Sequence, residues 1–150
     1  MPGFVLVGLL TGACDGSVVE PTPHFELAGT YQATMHATTE SATLDAAVVL
    51  VVEHQDANVT GSYGIIGELV FEGEFAEIEG SGTFTGTVTA ADEPALDIVV
   101  RTPMCPDYEG PFVGRFNPST GTLFLGGSVD IFEGGCAVLL RFDVVLLLRQ

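Results

Sequence analysis

Apolar and polar residues alternate along most of this chain, which is the pattern of β-strands with one buried and one exposed face. In the segment 29–37, Tyr31, Ala33 and Met35 share one face, and the residues between them are polar. From 83 to 90 every outward position is a threonine, and the inward positions are apolar or glycine. Threonine, valine, phenylalanine and glycine are abundant, and strong helix formers are scarce, so the pattern predicts an all-β protein.

The alternation divides the chain into short segments joined by turns. Nine segments have strand character: 29–37, 44–54, 59–64, 68–79, 83–90, 95–102, 110–117, 122–131 and 136–149. The phase of the alternation slips near Phe75 and Ala76, which predicts a bulge. The residues 56–58 and 117–121 are typical of turns. We therefore predict an antiparallel up-and-down meander of eight or nine strands, closed into a small β-barrel that leaves no edge exposed.

The N-terminal residues are typical of an export signal. Residues 1–13 contain an apolar run too short to span a bilayer, although no Lys or Arg precedes it. A start codon upstream of Met1 would supply that basic region. The segment Leu10-Thr-Gly-Ala-Cys14 resembles the lipobox of bacterial lipoproteins, which implies that Cys14 carries a lipid. An ordinary cleaved signal and a plain N-terminal strand are the alternatives.

This resemblance divides the chain into three parts. Residues 1–13 are the signal-like segment, residues 14–25 form a tether with two prolines, and residues 26–150 are the barrel domain. A lipid-anchored chain would lie in the bacterial cell envelope, on the periplasmic side or the outer surface. Asp15 resembles the signal that retains some lipoproteins in the inner membrane, but the sequence leaves the choice of membrane open.

The remaining cysteines, Cys105 and Cys136, are free to pair in an oxidising compartment. Turns of a meander alternate between the two ends of a barrel, so the connections that carry these two residues fall at the same end. We therefore expect a disulfide between them, and two separate buried thiols are the alternative.

Charge excludes one class of partner. The net charge is −16, and the four basic residues are all arginines. Nucleic-acid binding depends on basic side chains that neutralise phosphates, so we expect no nucleic-acid partner. An acidic surface mainly keeps a protein soluble, and the acidic ladder Glu68, Glu72, Glu74, Glu77 and Glu79 is interpreted as a solvated face rather than a calcium site.

Few residues in the sequence suggest catalysis, metal binding or a ligand pocket. His24, His36 and His54 lack metal-ligand spacing, and no nucleophile motif is present, so we predict no metal, no cofactor and no enzymatic activity. An ionised side chain that points into a barrel is costly unless it is paired, and it would therefore mark a pocket. The residues considered for such a pocket are Asp97, Arg101, Arg115 and Arg141.

Two short patches, Gly29-Thr-Tyr31 and Val59-Thr-Gly-Ser-Tyr63, resemble strand patterns of the calycin barrels, the lipocalin and avidin type. The chain has no tryptophan, so biotin binding is not implied. A membrane-spanning barrel is disfavoured because aromatic girdles require more Tyr and Trp than this chain has. The resemblance implies a fold only.

Three functional hypotheses follow. The first is a non-enzymatic, envelope-anchored barrel that binds a small apolar or amphiphilic ligand. The second is an interaction or structural module, such as a scaffold or inhibitor, whose interior is filled by Phe84, Phe112, Phe116 and Phe142. The third is an enzyme built on buried Arg and Asp. A cavity of roughly several hundred Å³ would favour the first over the second, and the oligomeric state stays open.

Overall fold

A computed structural model describes residues 25–150 and, apart from these, Gly16. Over this part of the chain eight antiparallel strands follow one another in sequence order and close into a barrel, with the eighth strand beside the first. The strands are β1 (Gly29–Thr38), β2 (Ala42–Gln55), β3 (Asn58–Phe71), β4 (Glu74–Val88), β5 (Ala95–Thr102), β6 (Cys105–Asn117), β7 (Thr122–Glu133) and β8 (Ala137–Arg149). The described residues include no helix long and apolar enough to cross a membrane. The predicted all-β closed meander is confirmed.

The count of eight strands, where the alternation indicated nine segments, has a local cause. The segment 68–79 is not one strand with a bulge, because Glu72 and Gly73 form a two-residue turn in its middle, with φ of 51° and 85°. Its first half continues the segment 59–64 as β3, and its second half continues into the segment 83–90 as β4, so three segments form two strands. Positive φ at both central positions is typical of the tight turns that join hairpin strands. The slip in the alternation near Phe75 and Ala76 was therefore the reversal of the chain. Phe75, which follows this turn, is 59% exposed.

Side chains at alternate positions fill the barrel interior, as the pattern predicts. In β2 the alternate residues are all buried, and these are Leu44, Ala46, Val48, Leu50 and Val52. Several large rings lie directly over a glycine paired with them on the neighbouring strand. Phe84 faces Gly61, Tyr63 faces Gly82, and Phe112 faces Gly127. Because a glycine has no Cβ, each ring occupies the space that a second side chain would need.

One end of the barrel is plugged by the chain that enters it. Residues 25–28 cross this end, where Leu27 is fully buried and the hydroxyl of Tyr31 donates to its carbonyl oxygen at 2.7 Å. Phe25 stacks on His54, and its ring lies near Phe116. Burial raises the pKa of Tyr31 to about 12, with a further contribution from Glu26, so the hydroxyl stays a donor. We call this the plugged end.

The opposite end, which we call the mouth, carries the turns at 39–41, 72–73, 103–104 and 134–136. Among the described residues no strand pairs with the outer edge of β4 from 74 to 82, because its pairing with β5 begins at Thr83. Strands β6 and β7 pair only from Phe112 to Asn117 and separate towards the mouth. The disulfide joins the start of β6 to the turn after β7, and so ties the two separated strands together.

The predicted Cys105–Cys136 disulfide is thus confirmed, at one end of the barrel as the meander required. The two residues are 31 positions apart. A loop of that length corresponds to about 3 to 4 kcal/mol of stabilisation when chain entropy alone is considered. Its location at the mouth means that it holds together β6 and β7 where these strands do not pair with each other.

Gly127 and its neighbour Gly126 test the packing of rings over glycines. We expect Gly127→Ala to lower the free energy of unfolding by about 1 to 3 kcal/mol, because the new methyl group meets the ring of Phe112. Gly126→Ala on the outer face adds a methyl group in open space and should be neutral or slightly stabilising. Urea denaturation of both variants measures the difference, and equal stabilities would contradict this account of the core.

Candidate functional site

A cavity of about 340 Å³ lies inside the half of the barrel nearest the mouth. Its floor is made by buried core side chains, which include Leu50, Phe84, Ile98, Phe112, Leu125 and Leu146. Its walls are half-buried apolar side chains nearer the mouth, among them Ile65, Ile78, Val100 and Ile131. These walls are incompletely packed because no described segment covers the mouth as residues 25–28 cover the plugged end.

A polar cluster joins β6, β7 and β8 at the cavity wall, in the gap where β6 and β7 separate. The Tyr108 hydroxyl donates to Asp130 Oδ2 at 2.9 Å. Arg141 on β8 is paired with Asp130 in the sheet and donates to its carboxylate, from Nε to Oδ1 at 2.7 Å and from Nη2 to Oδ2 at 3.0 Å. The ring of Tyr108 also packs edge-on against Phe132, with centroids 5.1 Å apart. We call Tyr108, Asp130 and Arg141 the wall cluster.

Electrostatics in the wall cluster hold each group in one protonation state. The Arg141 guanidinium lowers the pKa of Asp130, whose side chain is only 1% exposed, and the Tyr108 hydroxyl adds to this effect. Burial, followed by the hydrogen bond to ionised Asp130, raises the pKa of Tyr108 to about 12. At neutral pH the cluster is therefore an ionised carboxylate that accepts hydrogen bonds from a neutral phenol and a guanidinium.

A second tyrosine lies on another side of the cavity. Tyr63 of β3 projects over Gly82, and burial raises its pKa, with a smaller opposing effect from the nearby Thr102. Both Tyr63 and Thr102 line the cavity. They supply neutral hydroxyl groups to a surface that is otherwise mostly apolar.

The charged residues that line the cavity are all acidic. Glu77 and Glu79 are exposed residues on either side of the half-buried Ile78, at the rim of the mouth, where β4 pairs with β3 but not with β5. Asp130 lies in the wall. None of the described residues that line the cavity is an arginine or a histidine. The surroundings of a bound molecule would therefore be apolar with a negative rim.

The four charged residues proposed from the sequence do not line this cavity. Asp97 is exposed on the outer face of β5. Arg101 donates to Glu109 at 2.6 Å and Arg115 to Glu93 at 3.3 Å, both on the outside of the barrel. Charged side chains lie outward because an unpaired charge inside the barrel would lose its hydration. Only Arg141 touches a cavity residue, and it does so from the outer face, through Asp130.

Other predicted positions fall outside the cavity or outside the described residues. His36 pairs with Asp45 on the outer face, and His54 stacks on Phe25 at the plugged end. No group of three or more potential metal ligands occurs in the described part of the chain. Cys14 and His24 lie outside the described residues.

The alternation pattern did not reveal the residues that give the cavity its polar character. Tyr108 was assigned to a connection, whereas it lies within β6. Asp130 had a visible signal, since it is an acidic residue between the apolar Val129 and Ile131 of β7. Alternation alone places such a residue on the outer face, where a carboxylate needs no partner. The hydrogen bond between Asp130 and Tyr108 depends on the gap between β6 and β7. This gap cannot be predicted from a local sequence pattern.

Asp130 makes the stability of the protein depend on pH. Because its pKa is lowered in the folded state, its pairing stabilises the fold above the ordinary carboxyl pKa, and this stabilisation is lost as the pH falls through the lowered value. We expect Asp130→Asn to lower the free energy of unfolding by about 2 kcal/mol at neutral pH and by much less near about pH 2.

The control for this prediction is Asp97→Asn, which removes an exposed carboxylate from the outer face. It should change stability by less than about 0.5 kcal/mol, with no comparable dependence on pH. Urea denaturation across the acidic range measures both variants. A difference between wild type and Asp130→Asn that stays constant with pH would contradict the role assigned to the carboxylate.

Comparison of the chain with protein-family models, with curated proteins and with solved structures found no match. What the cavity can do is therefore inferred from its own residues. These are an apolar floor and walls, two tyrosine hydroxyls, a wall cluster locked in one protonation state, and an acidic rim. Such a surface offers burial and hydrogen bonds to a small molecule.

Proposed function

We propose that this protein binds a small apolar or amphiphilic ligand in the cavity at the mouth of the barrel. The observation that carries the proposal is the asymmetry of the two ends. One end is sealed by residues 25–28, and the other opens on an apolar cavity of about 340 Å³. This volume lies at the lower end of the range of small-molecule sites. Burial of an apolar chain there contributes about 0.8 kcal/mol for each methylene group.

We further propose that the activity is non-enzymatic. General acid–base catalysis is most efficient when a group titrates near the working pH. In the wall cluster the pKa of Asp130 is lowered and the pKa of Tyr108 is raised to about 12, so both shifts lead away from neutral pH. The cluster is suited to hold the wall together and to present a fixed polar surface.

The proposed localisation is the bacterial cell envelope, with a lipid on Cys14 as the anchor. The described domain begins at Phe25, which lies at the plugged end of the barrel. A chain that carries this anchor would therefore enter the barrel at the plugged end. The disulfide at the mouth is compatible with an oxidising compartment.

A second candidate function, an interaction module, is favoured by one feature of the exterior. Val113, Phe124, Val145 and Leu147 lie side by side on the outer faces of β6, β7 and β8, and Val145 is 81% exposed. The plugged half of the barrel is also solidly packed. A cavity of this size nevertheless favours ligand binding over the module with a filled interior.

Adjacent isoleucines on β3 give a matched test of the cavity. Ile65 lines the cavity, whereas Ile66 points outward and is 63% exposed. We expect Ile65→Trp to fill part of the cavity and weaken binding of the uncharged fluorophore N-phenylnaphthylamine by about tenfold or more. Ile66→Trp should bind the fluorophore as the wild type does.

Fluorescence titration measures binding, and thermal unfolding checks that both variants fold. No binding of the fluorophore to the wild type, or equal binding to the two tryptophan variants, would contradict a ligand site in the cavity. In that event the interaction module becomes the better explanation.

The anchor is tested by intact-mass spectrometry of protein expressed in a bacterial host with the genomic sequence upstream of Met1. We expect a mature chain that begins at Cys14 with added acyl mass, and two hydrogens gained on reduction of the disulfide. Cys14→Ser should abolish the acyl mass and release the protein from the membrane fraction. An unmodified chain that retains residues 1–13 would overturn the proposed localisation and would leave the proposed ligand binding untouched.

A further inference from the structure

Hydrogen-bonding groups at the cavity are mainly acceptors. A tyrosine hydroxyl has one proton to donate, and that of Tyr108 is directed at Asp130. A ligand that approaches Tyr108 therefore meets only the lone pairs of its oxygen. The exposed carboxylates of Glu77 and Glu79 are likewise acceptors. A ligand head that donates hydrogen bonds fits these groups.

No positive charge is available in the described wall to receive an anionic head. Arg101 and Arg115 pair with glutamates on the outside of the barrel. Arg141 directs its guanidinium at Asp130 from the outer face. Arg149 is at the end of β8 near the plugged end, paired with Thr122 in the sheet. Among the described side chains that line the cavity, a carboxylate would find neutral hydroxyl donors, such as those of Tyr63 and Thr102, and no cation.

Aromatic rings add to this preference. Tyr63, Tyr108 and Phe132 line the cavity together with the acidic residues. The face of an aromatic ring attracts a cation, and the attraction increases when water is excluded. The net charge of −16 acts in the same direction over a longer range, because it raises the local concentration of cations and lowers that of anions.

From these observations we propose that the ligand is a cationic amphiphile, with an apolar body in the cavity and an amine or quaternary ammonium head at the rim. The head would lie with Glu77 and Glu79 on one side and the aromatic side chains on the other. The inference rests on the proposed ligand-binding function and deepens it. It separates this barrel from one that would carry fatty acids, whose carboxylate needs a basic side chain or several free donors. The body of the ligand provides affinity, and the rim selects its charge.

The test compares three amphiphiles with the same chain and different heads: dodecylamine, dodecanol and dodecanoate. Each competes with N-phenylnaphthylamine for the wild-type protein at neutral pH, below the concentration at which micelles form. At an ionic strength of about 20 mM we expect dodecylamine to bind about tenfold or more tightly than dodecanoate, with dodecanol between them. The difference should shrink as salt is added, because the rim is exposed to solvent.

Two double variants locate the selectivity. Glu77→Gln/Glu79→Gln removes two charges at the rim and should reduce the preference for the amine several-fold, with binding of dodecanol unchanged. Glu53→Gln/Asp97→Asn removes two exposed charges from strand segments nearer the plugged end and should leave the preference almost intact. Equal effects of the two double variants would assign the preference to net charge and overturn the role of the rim.

The outcomes also separate this inference from the proposed function. If dodecanol and dodecanoate displace the fluorophore as well as dodecylamine does, the cavity binds ligands without selecting a cation, so the proposed function stands and the inference is wrong. If the fluorophore itself does not bind, the proposed function fails, and the inference fails with it.

Discussion

Closure of the sheet sets a fixed interior cross-section, and the rest of this structure depends on how inward side chains share it. An eight-stranded barrel has an interior just wide enough for side chains to fill or for one small ligand. Here large rings lie over glycines on neighbouring strands, as in the pairs of Phe84 with Gly61 and Phe112 with Gly127. The rings fill the middle of the barrel and form the floor of the cavity. Space is therefore left only above them, towards the mouth.

The two ends differ because, within residues 25–150, the chain covers only one of them. At the plugged end, residues 25–28 return over the core, and the hydrogen bond from Tyr31 to the Leu27 carbonyl satisfies a buried acceptor. At the mouth, β4 extends beyond its neighbour β5, and β6 and β7 separate. A gap in the wall costs interstrand hydrogen bonds, and the disulfide and the wall cluster hold the strands together across it. The features that stabilise the mouth are thus also the features that shape the cavity.

Charge is distributed so that the interior needs no ionic compensation except at one place. Arg101 and Arg115 are neutralised on the outer face, where solvent screens the pairs and each contributes little to stability. Asp130 is different, because its side chain is buried at the wall and is held by Tyr108 and Arg141. Removing one partner of such a group leaves a buried polar atom unsatisfied, so the cluster constrains the position of β7 relative to its neighbours. It also leaves the cavity with acceptors and, among the described lining residues, without a free cation.

The sequence by itself determined the fold class, the inward and outward faces of most strands, and the pairing of Cys105 with Cys136, because alternation and the order of turns are local properties. It misassigned the turn at Glu72 and Gly73, since a reversal that keeps hydrophobic residues on both sides looks like a slipped strand. Only the tertiary structure decided where the cavity lies in the barrel and which groups line it. The charged residues chosen from the sequence lie outside, and Tyr63, Tyr108 and Asp130 lie at the cavity. The physical reason is that the cavity lies where neighbouring strands do not pair at the mouth. How far each strand extends beyond its neighbour is determined by the whole closed sheet.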